Sequence, residues 1–181
     1  MAIRRVLRMG HPLLRERARP LRPDEIRSEA TRRLVDDMLD TLDDYGGIGL
    51  AAPQVGESLR LAIVRIPGGP TRYGELAPFP LTVFVNPEIE ILDERRAGYW
   101  EGCLSVPGLR GYVERPQHIR VRYTELNGAE RNLECEGFHA TVFQHEFDHL
   151  DGVLYVDRLA DTRLLAFERE FERWQLDVAR D

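Results

Sequence analysis

Between residues 24 and 45 the apolar side chains Ile26, Ala30, Leu34, Met38 and Leu42 recur at every fourth position, which predicts an amphipathic helix that Gly46 and Gly47 stop. The apolar run at 59–66 predicts a strand, as do 81–85 and 89–92, which Asn86-Pro87 separates. Residues 67–80 are rich in glycine and proline and read as a loop. Ile119, Val121 and Tyr123 alternate in the strand manner, Asn127-Gly128 supplies a hairpin turn, and Leu133 and Cys135 lie on the return strand. From Gly137 the period lengthens, and Phe138, Thr141, Val142, His145 and His149 share one face of a helix running to about Leu150. After Asp157, helical spacing of Leu164, Phe167, Phe171, Trp174 and Val178 predicts a terminal amphipathic helix. No repeat, low-complexity stretch or linker interrupts this order, so the expectation is one α+β domain over residues 1–181.

Composition changes little in that picture: 43% hydrophobic and 31% charged residues are ordinary for a globular chain and exclude disordered classes. No apolar run approaches the roughly 20 residues of a membrane span. Arg4, Arg5 and Arg8 break up the start, which lacks a signal-peptide core. A cytoplasmic protein with both cysteines reduced is therefore expected. The net charge of −6 is uneven, because residues 1–33 carry ten arginines against four acids. That basic head lacks aromatic interleaving or a recognisable motif and reads as a solvated surface, so no sequence-specific nucleic-acid partner and no membrane partner is expected.

The candidate chemistry lies in His145-Glu146-Phe147-Asp148-His149, an H-E-x-x-H pattern. Four residues turn a helix by about 40° beyond a full circle, so both imidazoles project from one face toward a single ion. Glu146, about 100° round the helix, stands beside that ion as a base for water. Catalytic centres of this type take three protein ligands. Tyr155 occupies the place where one protease class carries a third His, whereas Glu168 and Glu170 could serve in another. Cys103, in the Gly- and Pro-framed segment Glu101-Gly102-Cys103-Leu104-Ser105-Val106-Pro107, competes strongly with them, while Cys135 reads as a small buried hydrophobe. The segment GIGLAAPQVG at 47–56 is too rich in small residues to be chosen for packing volume and implies close backbone approach.

Together GIGLAAPQ at 47–54, EGCLS at 101–105 and QHEFDH at 144–149 resemble the three signature segments of the peptide deformylase family, in the family's order. The similarity runs from about Val6, through LRMGHPLLRERARPL, to about Leu159. It implies antiparallel sheets around a central H-E-x-x-H helix, with Cys103, His145 and His149 as metal ligands. It implies ferrous iron as the ion, although zinc, nickel and cobalt suit the same donors. Water on that ion would attack the formyl carbonyl of a formyl-methionyl nascent peptide, with Glu146 as general base and acid and with the Gln54 amide and Leu104 N–H stabilising the oxyanion. The peptide would pair with Ile48, Gly49 and the region of Gly102 like an added strand. Helix geometry lines a methionine pocket with Phe138 and Val142, edged by Thr141 and His139, while Arg110 could meet peptide or solvent.

Some relatives in that family use a basic terminal helix to touch the ribosome. Residues 161–181 here hold six acids and four arginines, which disfavours that contact and leaves the basic head as a route to the ribosome. Two rival readings stay open at this point. One is an H-E-x-x-H endopeptidase with Glu168 or Glu170 as third ligand; the other is a binding module with a closed, structural metal.

Overall fold

The computed structural model describes residues 2–71 and 74–174. Four helices, α1 (Pro23–Ile26), α2 (Glu29–Tyr45), α3 (Gly137–Leu150) and α4 (Glu168–Trp174), accompany eight described strands. The strands are β1 (Gly49–Ala51), β2 (Leu61–Ile66), β3 (Gly69–Thr71), β4 (Gly74–Leu76), β5 (Phe79–Cys103), β6 (Val106–Thr124), β7 (Glu130–Glu136) and β8 (Leu165–Phe167). The main sheet runs β1-β2-β5-β6-β7 with β8 added to β6, and every pairing is antiparallel. This is an α+β fold with helices toward both ends of the chain.

Strand β2 explains how the layers stack. Its residues alternate between faces, so Leu61 and Ile63 meet Leu34, Val35, Met38 and Leu42 of α2, while Ala62, Val64 and Ile66 meet Ala140, Phe143 and Phe147 of α3. Both faces of the strand are covered, which is why LAIVRI is apolar almost without a break. Between β2 and α3 the rings of Phe84 and Phe143 pack at 5.2 Å, and Phe79 meets Phe143 edge-on at 5.0 Å. All of Ala140 to Leu150 is buried, so α3 crosses the interior rather than riding on it.

The expected helix at 24–45 is two helices. Ser28 takes an extended conformation and its hydroxyl accepts from the Thr31 N–H at 3.1 Å, so it caps α2 instead of continuing α1. Ala30, in the first turn after that cap, is exposed, whereas Leu34, Met38 and Leu42 are buried as expected. The two strands expected on either side of Asn86-Pro87 belong to one strand, β5, whose register shifts between Val85 and Glu88. Asn86 sits there with φ 51°, and its side chain exchanges hydrogen bonds of 2.9 and 2.8 Å with the Leu21 backbone, which compensates the interrupted ladder. The glycine- and proline-rich stretch contains the small β3–β4 hairpin.

The terminal amphipathic helix is shorter than its apolar spacing implies. Leu164 closes a 3₁₀ turn and Phe167 lies in β8, where residues 165–167 pair with the β6 edge at 109–111. An open edge satisfies those backbone groups as well as a helix would. Phe171 is buried against Trp100 at 4.8 Å, Trp174 is exposed, and Val178 lies outside the described residues.

Because Phe143 fills the space between β2 and the face of α3 turned away from the histidines, Phe143→Ala should lower the unfolding free energy by about 3–5 kcal/mol in a urea titration. A loss below about 1 kcal/mol would mean that this layer is not close-packed.

Candidate metal centre

Strand β5 ends at Cys103, which pairs with Val106 across the tight turn at Leu104-Ser105, and the hairpin tip so formed delivers a sulfur to α3. On α3, His145 and His149 stand one turn apart with ring centroids at 5.2 Å. One ligand atom from each of Cys103, His145 and His149 falls within 4.8 Å of the other two, and Cys103 Sγ lies 3.3 Å from His149 Nε2. Atoms bound at about 2.0–2.3 Å to one tetrahedral ion stand roughly 3.5 Å apart, so the cluster has the dimensions of a metal site.

Its electrostatics suit a cation. Burial opposes ionisation of the Cys103 thiol, but the two imidazoles outweigh it and draw its pKa well below the usual value. The Ser105 N–H and the Gln54 amide also donate to Sγ, at 3.4 and 3.5 Å. His145 Nδ1 donates to Glu101 Oε2 at 2.7 Å, which turns Nε2 toward the sulfur side. Burial pushes Glu101 up, yet its bonds with His145 and Arg115 prevail and bring it down to about 2, so it is a carboxylate throughout the working range.

Arg115 grips Glu101 with two bonds of 2.6 and 3.0 Å and reaches Asp148 Oδ2 at 2.8 Å. Asp148 in turn accepts from Arg158 at 3.0 and 2.6 Å. With Arg115 only 3% and Glu101 5% exposed, this chain of charges is inside the protein and fixes the hairpin tip against α3.

Glu146 is buried beside the three ligand residues, and that burial raises its pKa to about 7. A Cβ on Gly49 would sit 2.4 Å from Glu146 Oε1, so only glycine lets β1 come this close to the carboxylate. Glu146 Oε2 has no partner among the described residues. Gln54 is 2% exposed: Oε1 accepts from the Ala51 N–H at 2.8 Å, and Nε2 donates to Ser105 Oγ at 3.1 Å.

These groups line a cleft of about 810 Å³, within the usual range for ligand sites. Ile48, Gly49, Gly102, Leu104, Phe138, Thr141 and Val142 all lie on its walls, together with Cys103, His145 and Glu146. His139 does not edge it; its Nε2 meets the Ala77 carbonyl at 3.0 Å and its ring packs on Phe79.

Neither rival ligand reaches the cluster. Glu168 is held at the rim by Arg110, which donates from Nε at 2.9 Å, and Glu170 accepts from Trp174 Nε1 at 3.0 Å. The endopeptidase ligand set is therefore not assembled. A closed structural site is not found either, since Cys103 and His145 face the cleft.

A model of the family described as Polypeptide deformylase matches residues 3–164. The chain belongs to the polypeptide deformylase family. Its reaction is the family's, metal-dependent hydrolysis of the N-formyl group at the start of newly made polypeptides. The Peptide deformylase of Leptospira biflexa is 43% identical over 172 residues, covering 95% of this chain and 96% of that protein. Among solved structures, a Met-Ala-Ser-bound peptide deformylase from Acinetobacter baumannii superposes with a TM-score of 0.81 at 36% identity, covering 87% of this chain and 99% of that one. The Thermotoga maritima peptide deformylase gives 0.76 at 37% identity, covering 89% and 100%.

Sequence reasoning missed Glu101, Arg115, Asp148 and Ser105. Glu101, Asp148 and Ser105 sit inside the recognised segments, but which acid supports a ligand depends on pairing across β5, β6 and α3. Arg115, twelve residues from Cys103, carries no local signal at all. Removing it would leave the buried Glu101 carboxylate with His145 alone and Asp148 with Arg158 alone, so Arg115→Ala should cost about 3–5 kcal/mol of stability by urea unfolding. A change within about 0.5 kcal/mol would show that the charge chain is not holding the tip.

Proposed function

We propose that Cys103, His145 and His149 hold one divalent ion, and that Glu146, Gln54 and Leu104 act around it on N-formyl-methionyl peptides. One observation carries this reading: a sulfur and two imidazoles converge beside a buried carboxylate at the wall of an open cleft. When bound, the ion supplies Lewis acidity, making a water acidic near neutral pH and polarising the carbonyl under attack. The donor set of one thiolate and two imidazoles suits iron, zinc, nickel or cobalt, and we assign Fe²⁺ on the family resemblance.

Glu146 moves the proton. Its Oε1 lies close to Gly49, and the unpartnered Oε2 is the oxygen that accepts a proton from the attacking water and returns it to the leaving amine nitrogen. Gln54 cannot rotate freely while its oxygen is tied to Ala51, and its amide N–H₂ faces the Cys103 side of the cleft. There it joins the Leu104 backbone N–H in stabilising the oxyanion. The extended peptide pairs with Ile48 and Gly49 on one side and Gly102 on the other, and the methionine side chain enters between Phe138 and Val142. The likeness to a deformylase solved with Met-Ala-Ser supports a peptide of this kind in the cleft.

Residues 1–181 act in this reading as one metallohydrolase domain in the cytoplasm, where translation presents formylated N termini. Two free cysteines accord with a reducing compartment. Contact with the ribosome, where it occurs, falls to the arginine-rich head rather than to the acidic terminal segment.

An anaerobic assay with formyl-Met-Ala-Ser should release formate, while the acetylated analogue is cleaved far more slowly and the metal content of the same sample is close to one ion per chain. Glu146→Gln should retain metal and lose about 10²- to 10⁴-fold in kcat. Cys103→Ala should lose both metal and turnover; retention of either would remove the sulfur from the ligand set. Gln54→Ala should keep its metal and lose roughly 10²-fold in turnover, and an unchanged rate would refute its role.

A further inference from the structure

We propose that Arg5 and Arg8 form a cationic rim on the substrate cleft that favours peptides carrying Asp or Glu downstream of the formyl-methionine. The inference rests on the deformylase reading of the cleft and adds a specificity to it.

The N-terminal segment is fastened to the two loops that build the site. Val6 is buried, the Leu7 N–H donates to the Gln54 carbonyl at 2.8 Å, and the Met9 N–H donates to the Ser105 carbonyl at 2.7 Å. Arg5 and Arg8 flank these anchors, and both line the cleft that holds His145 and Glu146. Their backbone is thus set by the same loops that position Gln54 and Cys103.

Their side chains are uncommitted. Arg4 is taken by Asp37 at 3.1 Å and Glu57 at 2.8 Å, Arg110 by Glu168, and Arg115 by Glu101 and Asp148. Arg5 and Arg8 are exposed and have no ion-pair or hydrogen-bond partner among the described residues. The acids on the cleft wall offer them none: Glu101 is neutralised by Arg115 and His145, Glu168 by Arg110, and Glu146 is buried beside the ligand residues. A chain of net charge −6 therefore places two unmatched guanidinium groups on the wall of the cleft that holds His145 and Glu146. Guanidinium forks match carboxylates in shape and charge.

A peptide fits this position better than a nucleic-acid backbone does. The rim belongs to a concave cleft, and the last turn of α2 exposes Asp43, paired with Arg65, and Asp44 before Tyr45, whose hydroxyl accepts from the Val6 N–H at 3.5 Å. A long run of phosphates would meet the Asp44 charge, whereas one or two carboxylates can reach the arginines without meeting it.

The test uses formyl-Met peptides with amidated C termini and either Glu or Lys at the second, third or fourth position, assayed on the metal-loaded enzyme. Two solvent-facing charge contacts correspond to a Glu-to-Lys ratio in kcat/KM of about two- to tenfold at one or more positions. The ratio should be carried by KM, shrink in high salt, fall to about one in the Arg5→Gln, Arg8→Gln double variant, and stay above one in the corresponding Lys variant. Because both peptides meet the same enzyme, any general loss of activity cancels. A ratio of one in the parent, or an equal ratio in parent and Gln variant, overturns the inference. Loss of ribosome binding in the Gln variant with an unaltered peptide ratio assigns these arginines to RNA and overturns it as well. Failure of the parent to deformylate any of the peptides would sink the functional reading itself.

Discussion

The structure depends on holding a thiolate at the tip of a β-hairpin within a few ångströms of two imidazoles on a buried helix. Neither element can do this alone. The helix fixes the spacing of His145 and His149, and the hairpin sets the approach of Cys103, but their relative position is a tertiary matter. It is decided by the buried line Glu101, Arg115 and Asp148, which ties one strand, its neighbour and the helix together and is brought to charge balance by Arg158 on Asp148. Charges so deep in a protein are costly unless every partner is present.

The packing around β2 serves the same end. A strand covered by α2 on one face and α3 on the other leaves little freedom for the helix that carries the histidines, and the aromatic layer of Phe79, Phe84, Phe143 and Phe147 fills the space between. Close approach at Gly49 completes the enclosure by pressing β1 onto Glu146. A carboxyl group in that position is buried, and its Oε2 has no donor among the described residues, so it holds a proton more readily than an exposed glutamate does.

Much of this was legible in the chain. The two histidines with their glutamate form a local pattern whose geometry follows from the helix alone, and the glycine-rich segment announced a close approach before its partner was known. The thiol was less secure from the residues themselves, because composition alone did not exclude Glu168 or Glu170 as an oxygen donor; in the fold Glu168 is held at the rim by Arg110 and Glu170 by Trp174. What stayed hidden was set by distance along the chain. Arg115 acquires its partners only when β6 lies beside β5, and Asn86 interrupts a strand instead of ending it because Leu21 supplies the missing hydrogen bonds. Ser28 divides a periodic helix since a hydroxyl free to cap competes with helix continuation. At the other end, the open edge of β6 drew residues 165–167 into a strand that their helical spacing did not announce.

X-ray absorption at the edge of the bound ion tests the central claim most directly, because it reads the donor atoms themselves. The account predicts one sulfur at about 2.3 Å and two imidazole nitrogens at about 2.0–2.1 Å in the metal-loaded protein. A shell of nitrogen and oxygen alone, with no sulfur, would contradict it.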